Sequence, residues 1–160
     1  MDFEHIVNEY GDALLRMCFM YLKDYAMAED AVQETFLRAF RHQKEFKGKA
    51  SIKTWITRIA INVCKDMLSD AWIRHRADKE VEDVSVEKEV LFQEERYVIA
   101  SKVAALPEKY KEVVLLHYYQ ELKLQEIADI LGEKEATIKT RLKRARNILR
   151  EELGEAFDDE

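Results

Sequence analysis

Five cations, Lys139, Arg141, Lys143, Arg144 and Arg146, stand between apolar residues at helical spacing, and cations so placed can grip nucleic-acid phosphate. The apolar stripe is Ile138, Leu142, Ala145, Ile148 and Leu149. A shorter apolar helix precedes it, with Leu124, Ile127, Ala128 and Leu131 in phase, and Gly132 breaks the chain between the two. From Lys134 to Arg150 there are seven Lys/Arg and one acid, a local charge of +6 in a protein whose net charge is −6. A solvated amphipathic helix is the plain alternative. The short helix, single glycine and basic second helix together read as a DNA-binding helix-turn-helix.

The elements that must position this pair are all helical. The chain has 160 residues, 48% hydrophobic and 36% charged, with four Gly and one Pro, a composition that favours helices and allows one modest core or two small ones. The first helix is expected over about Asp2–Lys23, burying Phe3, Ile6, Val7, Tyr10, Leu14, Cys18, Tyr21 and Leu22. Asp24 caps a second helix, with Ala28, Val32, Phe36 and Phe40 inward. The polar turn FKGKAS, Phe46 to Ser51, interrupts, and Ser51 caps a third helix with Ile52, Ile56, Ile59, Val63 and Met67 in its core stripe. Trp55 borders that stripe and either packs inward or stacks on a base. A fourth helix is expected over about Val86–Ala105, and Pro107 opens a fifth carrying Tyr110, Val113, Val114, His117 and Tyr118 on one face. His117 reads as a core histidine with a partner rather than a ligand.

Several chemistries find no support. No Gly-rich phosphate loop, nucleophile elbow or His-Glu metal motif occurs, and the four histidines are scattered, so no enzyme, cofactor, metal or small-molecule substrate is expected. Cys18 and Cys64 lie among apolar residues and read as reduced core thiols. No apolar run approaches the roughly 20 residues that span a bilayer, and no signal-peptide pattern opens the chain, so the expected location is cytoplasmic.

Charge alternates along the chain. Residues 1–34 carry a net −6, 35–76 a net +7, 77–133 a net −7, 134–150 a net +6, and 151–160 six acids. Two basic blocks separated by an acidic stretch suggest two nucleic-acid contacts placed apart.

Two stretches, in this order, resemble a known family. AEDAVQETFLRAFRH with FKGKASIKTWITRIAINVCKDML is similar to the second region of bacterial sigma factors of the extracytoplasmic-function (ECF) group. LPEKYKEVVLLHYYQELKLQEIADILGEKEATIKTRLKRAR is similar to their fourth region. The resemblance implies an all-α protein of two small helical domains. Residues 1–72 would bind polymerase and recognise and melt the −10 element, and residues 96–153 would recognise the −35 element. A linker over 73–95, continuing acid-rich sequence from about Asp70, would thread the product channel or act as a plain tether, and 154–160 would be an acidic tail.

The implied partners are core RNA polymerase, through its β′ clamp helices and β flap, promoter DNA and an anti-sigma factor, which could hold the protein at a membrane. Asp30, Glu34 and Arg38 share the outer face of the second helix, with Gln33 at its edge, and the resemblance docks that face on the clamp helices. In the −10 set, Gly48 would let backbone approach a ligand, while Lys47, Lys49 and Lys53 would supply phosphate contacts. Phe46 to Ser51 would shape a pocket for a flipped base, with Phe46 read as meeting DNA ahead of the alternative that it plugs the corner between the second and third helices. Asn62, one turn from Arg58 and Lys65, would read a base edge.

At the −35 element, Glu135, Thr137, Lys139, Thr140 and Arg141 would contact bases or nearby phosphate, and Arg144 and Arg146 would grip phosphate. Ala136, Ile138 and Leu142 are read as packing. Lys123 and Lys134 stand where helix-capping hydroxyls are usual, which leaves both helix starts in question. Two other classes remain on the residues alone: a two-domain helix-turn-helix regulator binding duplex DNA without polymerase, and a protein-binding helical adaptor working through its acidic segments.

Overall fold

The computed structural model describes residues 1–69 and 94–154, and all regular structure among them is helical. The chain divides into two compact units, Met1–Ser85 and Val86–Glu160. The expected linker and tail fall outside the described residues, except that Glu94 and Glu95 are already helical and Gly154 caps the last helix.

Side-chain caps and one strained corner set out the first unit. Asp2 accepts a hydrogen bond from the His5 amide at 3.3 Å and opens α1, Phe3–Leu22. Lys23 ends that helix in the left-handed region, φ 61°, donating its amide to the Phe19 carbonyl at 2.7 Å. The next residue, Asp24, accepts from the Met27 amide at 2.9 Å and starts α2, Tyr25–Arg41. Two residues therefore reverse the chain. A 3-10 turn at Gln43–Glu45 leads into the loop before α3, Ile52–Ser69. Ser51 caps α3 through its hydroxyl, which accepts from the Thr54 amide at 3.1 Å.

The core of this unit lies among all three helices. Met17 through Leu22 are all buried, so the last turns of α1 are enclosed on every side. Leu14, Ile56 and Ile61 are also fully buried, and each such side chain stabilises the fold by about 1.5–3 kcal/mol. The face that α2 turns inward differs from the expected one. Ala28, Ala31, Thr35 and Ala39 are completely buried, whereas Val32 and Phe36 are half-buried and Phe40 is 57% exposed. Small residues let α2 approach its neighbours closely, and the larger side chains splay to its flanks. Phe40 instead meets Phe3 edge-on at 5.3 Å. Val7, expected inside, is exposed, while its neighbour Ile6 is buried, so the inward face of the first turns of α1 runs through Ile6.

Cys18 of α1 and Cys64 of α3 meet in this core as free, buried, hydrogen-bonded thiols. The bond to Cys64, then burial, then the charge a Cys64 thiolate would bring, push the Cys18 thiol well above the usual cysteine range.

In the second unit α4, Glu94–Ala104, is followed by Pro107 in extended conformation and α5, Glu108–Val114, which widens into one π turn at Leu115–Tyr119. His117 in that turn is half-buried with Nδ1 3.1 Å from the Leu122 carbonyl. The carbonyl only accepts, so Nδ1 carries the proton and the ring is a partnered structural histidine. The helix-turn-helix follows as α6, Leu124–Leu131, and α7, Glu135–Leu153.

Both helix starts form without a capping side chain from lysine. Glu126 reaches back to the Lys123 amide at 3.0 Å, so α6 is capped from its own third residue. At α7, neither Lys134 nor a hydroxyl caps, and Glu135 places a carboxylate in the first turn, where the helix dipole favours it. Gly132 closes α6 at φ 66°, donating its amide to the Ala128 carbonyl. The packing stripe of α7 is Ile138, Leu142, Ala145 and Leu149, all buried; Ala136 is exposed and packs on no core.

Candidate nucleic-acid and polymerase interfaces

Arg38 organises the outer face of α2. Its Nε donates to Glu34 Oε1 at 3.0 Å and its Nη1 to Asp66 Oδ2 of α3 at 3.1 Å, so one guanidinium ties the two helices. Partial burial opposes that cation, yet the hydrogen bonds and charges of Glu34 and Asp66 outweigh it and hold Arg38 above the ordinary arginine value. Asp30, Gln33, Glu34 and Arg38 line one groove of about 410 Å³ with Leu37 and Asp66. The structure thus brings together all four residues of the expected docking face. The lining also takes in Leu37, 50% exposed, and, carried across from α3 by the fold, Asp66 with Val63 and Met67.

The loop before α3 carries the next group. Gly48 has φ 73°, a conformation that a side chain strains, while space around its Cβ position is open. The turn, rather than a close backbone approach within this unit, accounts for the glycine. Lys47, Gly48, Lys49 and Ser51 are exposed, and Lys53 is half-buried. Phe46 and Trp55 resolve each other: their rings lie 5.0 Å apart, tilted by 37°, and each is half-buried. The pair plugs the corner on one side and leaves aromatic surface open on the other. Along α3, Arg58 and Asn62 are exposed one turn apart, with Lys65 half-buried beyond them.

In the second unit α7 presents Lys139, Lys143, Arg144 and Arg146, all exposed and without an acidic partner among the described residues. Glu135 and Thr140 are exposed, and Thr137 is half-buried. The Thr140 hydroxyl donates back to the Ala136 carbonyl at 3.0 Å. Arg141 differs from its neighbours, since its Nη2 donates to Glu133 Oε1 at 3.1 Å and the turn holds it.

The described residues contain no cluster of His, Cys, Asp or Glu suited to a metal, and no helix long and apolar enough to cross a membrane. The Sigma-70 region 2 profile matches residues 6–74, and the Sigma-70, region 4 profile matches residues 97–149. The chain is 33% identical to the ECF RNA polymerase sigma factor SigW of Bacillus subtilis, over 94% of this chain and 88% of that protein. It is 31% identical to the RNA polymerase sigma factor SigV of the same organism, over 92% and 88% respectively.

The chain belongs to the ECF sigma factor family.

As an ECF sigma factor it is a dissociable RNA polymerase subunit that directs promoter recognition, DNA melting and transcription initiation, with core polymerase and promoter DNA as its partners. The fold is shared with the sigma factor RpoE of Bartonella quintana, solved in complex with the anti-sigma factor NepR, at a TM-score of 0.73, 24% identity and coverage of 94% of this chain and 95% of that one. It is shared also with CnrH, solved with the cytosolic domain of CnrY, at a TM-score of 0.71, 22% identity and coverage of 94% and 86%.

Proposed function

We propose that this sigma factor divides its work among three faces. The groove of Asp30, Gln33, Glu34 and Arg38 meets the β′ clamp helices of polymerase. The loop and α3 face formed by Phe46, Lys47, Gly48, Lys49, Ser51, Lys53, Arg58, Asn62 and Lys65 engages the melted −10 strand. The outer face of α7, from Glu135 through Thr137, Lys139, Thr140 and Arg141 to Arg144 and Arg146, reads and grips the −35 duplex. Residues 1–72 and 96–153 act as the two working domains, with 73–95 as linker and 154–160 as tail.

The observation that carries this reading is the division of the cations into paired and unpaired. Arg38 is bound by two carboxylates within the first unit, which suits a polar docking surface that forms and releases. Arg58, Lys139, Lys143, Arg144 and Arg146 have no acidic partner among the described residues. Unpaired exposed cations attract phosphate without first losing an internal ion pair.

An anti-sigma factor is the proposed regulator, tethering the protein at a membrane when that partner is membrane-anchored. The neighbours solved with NepR and with the cytosolic domain of CnrY support this, as do exposed Leu37 and Phe40, which offer apolar area to a partner.

The test is in vitro transcription with purified bacterial core polymerase, this protein and a promoter library, read by sequencing transcripts. Discrete starts preceded by shared −35 and −10 sequences, weakened by Asn62→Ala and by Arg144→Ala, are expected. Initiation that ignores both substitutions would sink the assignment of these faces.

A further inference from the structure

The helix-turn-helix has a neighbour that its sequence pattern does not include. The start of α5, just after Pro107, lies beside the first turns of α7, and an open groove of about 380 Å³ runs between them. Lys109 and Tyr110 form one wall; Thr137, Thr140, Arg141 and Arg144 form the other. Ala136 also lines the groove, and its small side chain leaves room where a longer one would fill the space.

We propose that this groove seats one backbone phosphate of the DNA strand flanking the −35 element, held between Lys109 and Arg144. The inference rests on the −35 reading of α7 and extends it to a residue outside the motif. Charge is the first support. Arg141 is neutralised by Glu133, whereas Lys109 and Arg144 have no acidic partner among the described residues, leaving two uncompensated cations facing one groove from two helices. Orientation is the second. The Lys109 ammonium lies 5.1 Å from the Tyr110 ring centre, so it is turned toward the ring that lines the groove.

Neutral donors are the third support. The hydroxyls of Tyr110 and Thr137 make no hydrogen bond among the described residues, and each can donate to a phosphate oxygen. The last support is placement. When the N-terminal part of a recognition helix enters the major groove, the flanking backbone passes beside that helix, and an element packed there meets phosphate rather than bases. Lys109 should therefore add affinity and fix register without changing which bases are read.

The experiment uses holoenzyme, assembled from core polymerase and the full chain, on a duplex promoter recovered from the library selection. Binding is followed against salt for the wild type, Lys109→Ala and Tyr110→Phe. Lys109→Ala is expected to lower the magnitude of the log–log salt slope by about 0.9, so that its deficit relative to wild type shrinks roughly 3.5-fold between about 50 and 200 mM salt. Base preference at −35 should not change. A neutral methylphosphonate placed at successive backbone positions should weaken the wild type at one flanking position and weaken Lys109→Ala less there, since only Arg144 and the hydroxyls still hold that phosphate. Tyr110→Phe, which keeps the ring, should lose a smaller share.

An unchanged slope for Lys109→Ala would overturn the inference. If transcription nevertheless fell, the wall would belong to a polymerase contact. Arg144→Ala separates the two levels: if it lowers the slope and Lys109→Ala does not, only this inference fails. If neither does and binding ignores the −35 sequence, the underlying reading falls with it.

Discussion

Replacing Glu133 by Gln should tighten the grip of this sigma factor on −35 DNA. Arg141 donates to Glu133 at 3.1 Å, with the two side chains 23% and 39% exposed. A partly exposed ion pair of this kind contributes about 0.2–1 kcal/mol. Arg141 must give up that stabilisation when it turns to a phosphate or a base edge. Gln keeps the shape but removes the charge, so the opposing term falls away and the dissociation constant should drop roughly 1.4- to 5-fold. The number of phosphates neutralised does not change, so the salt slope should stay as in the wild type.

Holoenzyme binding to a selected promoter at fixed salt measures the effect, and a double-mutant cycle assigns it. In an Arg141→Ala background, Glu133→Gln should have lost this part of its effect. Weaker binding by Glu133→Gln would refute the reasoning. It would mean that the carboxylate aims Arg141 at the DNA instead of holding it back.

Three further outcomes follow from the folds of the two units. Gly132→Ala should lower stability by about 1–2 kcal/mol, because φ 66° strains any side chain although nothing lies within 4 Å of the added carbon; Gly132→Asn should lose less, and denaturant unfolding compares them. Ser51→Ala removes the acceptor for the Thr54 amide and should cost about 1 kcal/mol, read as a lower thermal midpoint for the first unit. Cys18 and Cys64 should resist thiol reagents until the fold opens, since both are buried and Cys18 holds its proton tightly. The raised folded value means that the native state keeps a proton which the unfolded chain releases above about pH 8.5. This contribution to stability is full below that pH and is lost as pH rises toward the folded value. Cys18→Ala should therefore show a shallower loss of stability between about pH 8.5 and 10, and an unchanged pH dependence would contradict a Cys18 thiol raised by its hydrogen bond and burial.

Large apolar residues at regular spacing were readable where they do the packing. Ile138, Leu142, Ala145 and Leu149 fill the stripe expected of α7, and Asp24, Ser51 and Gly132 mark the corners that their side chains or φ angles require. The inner face of α2 was not readable in this way. Val32, Phe36 and Phe40 recur every four residues and drift around the helix, while the buried face is Ala28, Ala31, Thr35 and Ala39. Hydrophobic size points to the wrong side wherever close helix approach demands small residues. The lysines before α6 and α7 misled for a different reason: a helix start can be satisfied from within, as Glu126 does for Lys123.

Of the interfaces, the sequence displayed the cations but not what each one touches. Its local pattern explains why most remain free, since the basic blocks at 35–76 and 134–150 hold few acids, and i,i+4 partners are correspondingly scarce on α3 and α7. The exceptions come from partners brought by the fold. Asp66 reaches Arg38 from 28 residues away, and Glu133 reaches Arg141 from eight residues back across the turn. Lys109 does not stand out in the sequence for the converse reason: it sits with Lys111 between Glu108 and Glu112 in an acidic stretch, and only packing of α5 against α7 sets it opposite Arg144. A count of Lys and Arg therefore overstates the charge available at Arg38 and Arg141 and understates it beside Arg144. It is the three-dimensional pairing of acids with bases, more than the number of bases, that decides which cations of this sigma factor are ready for phosphate.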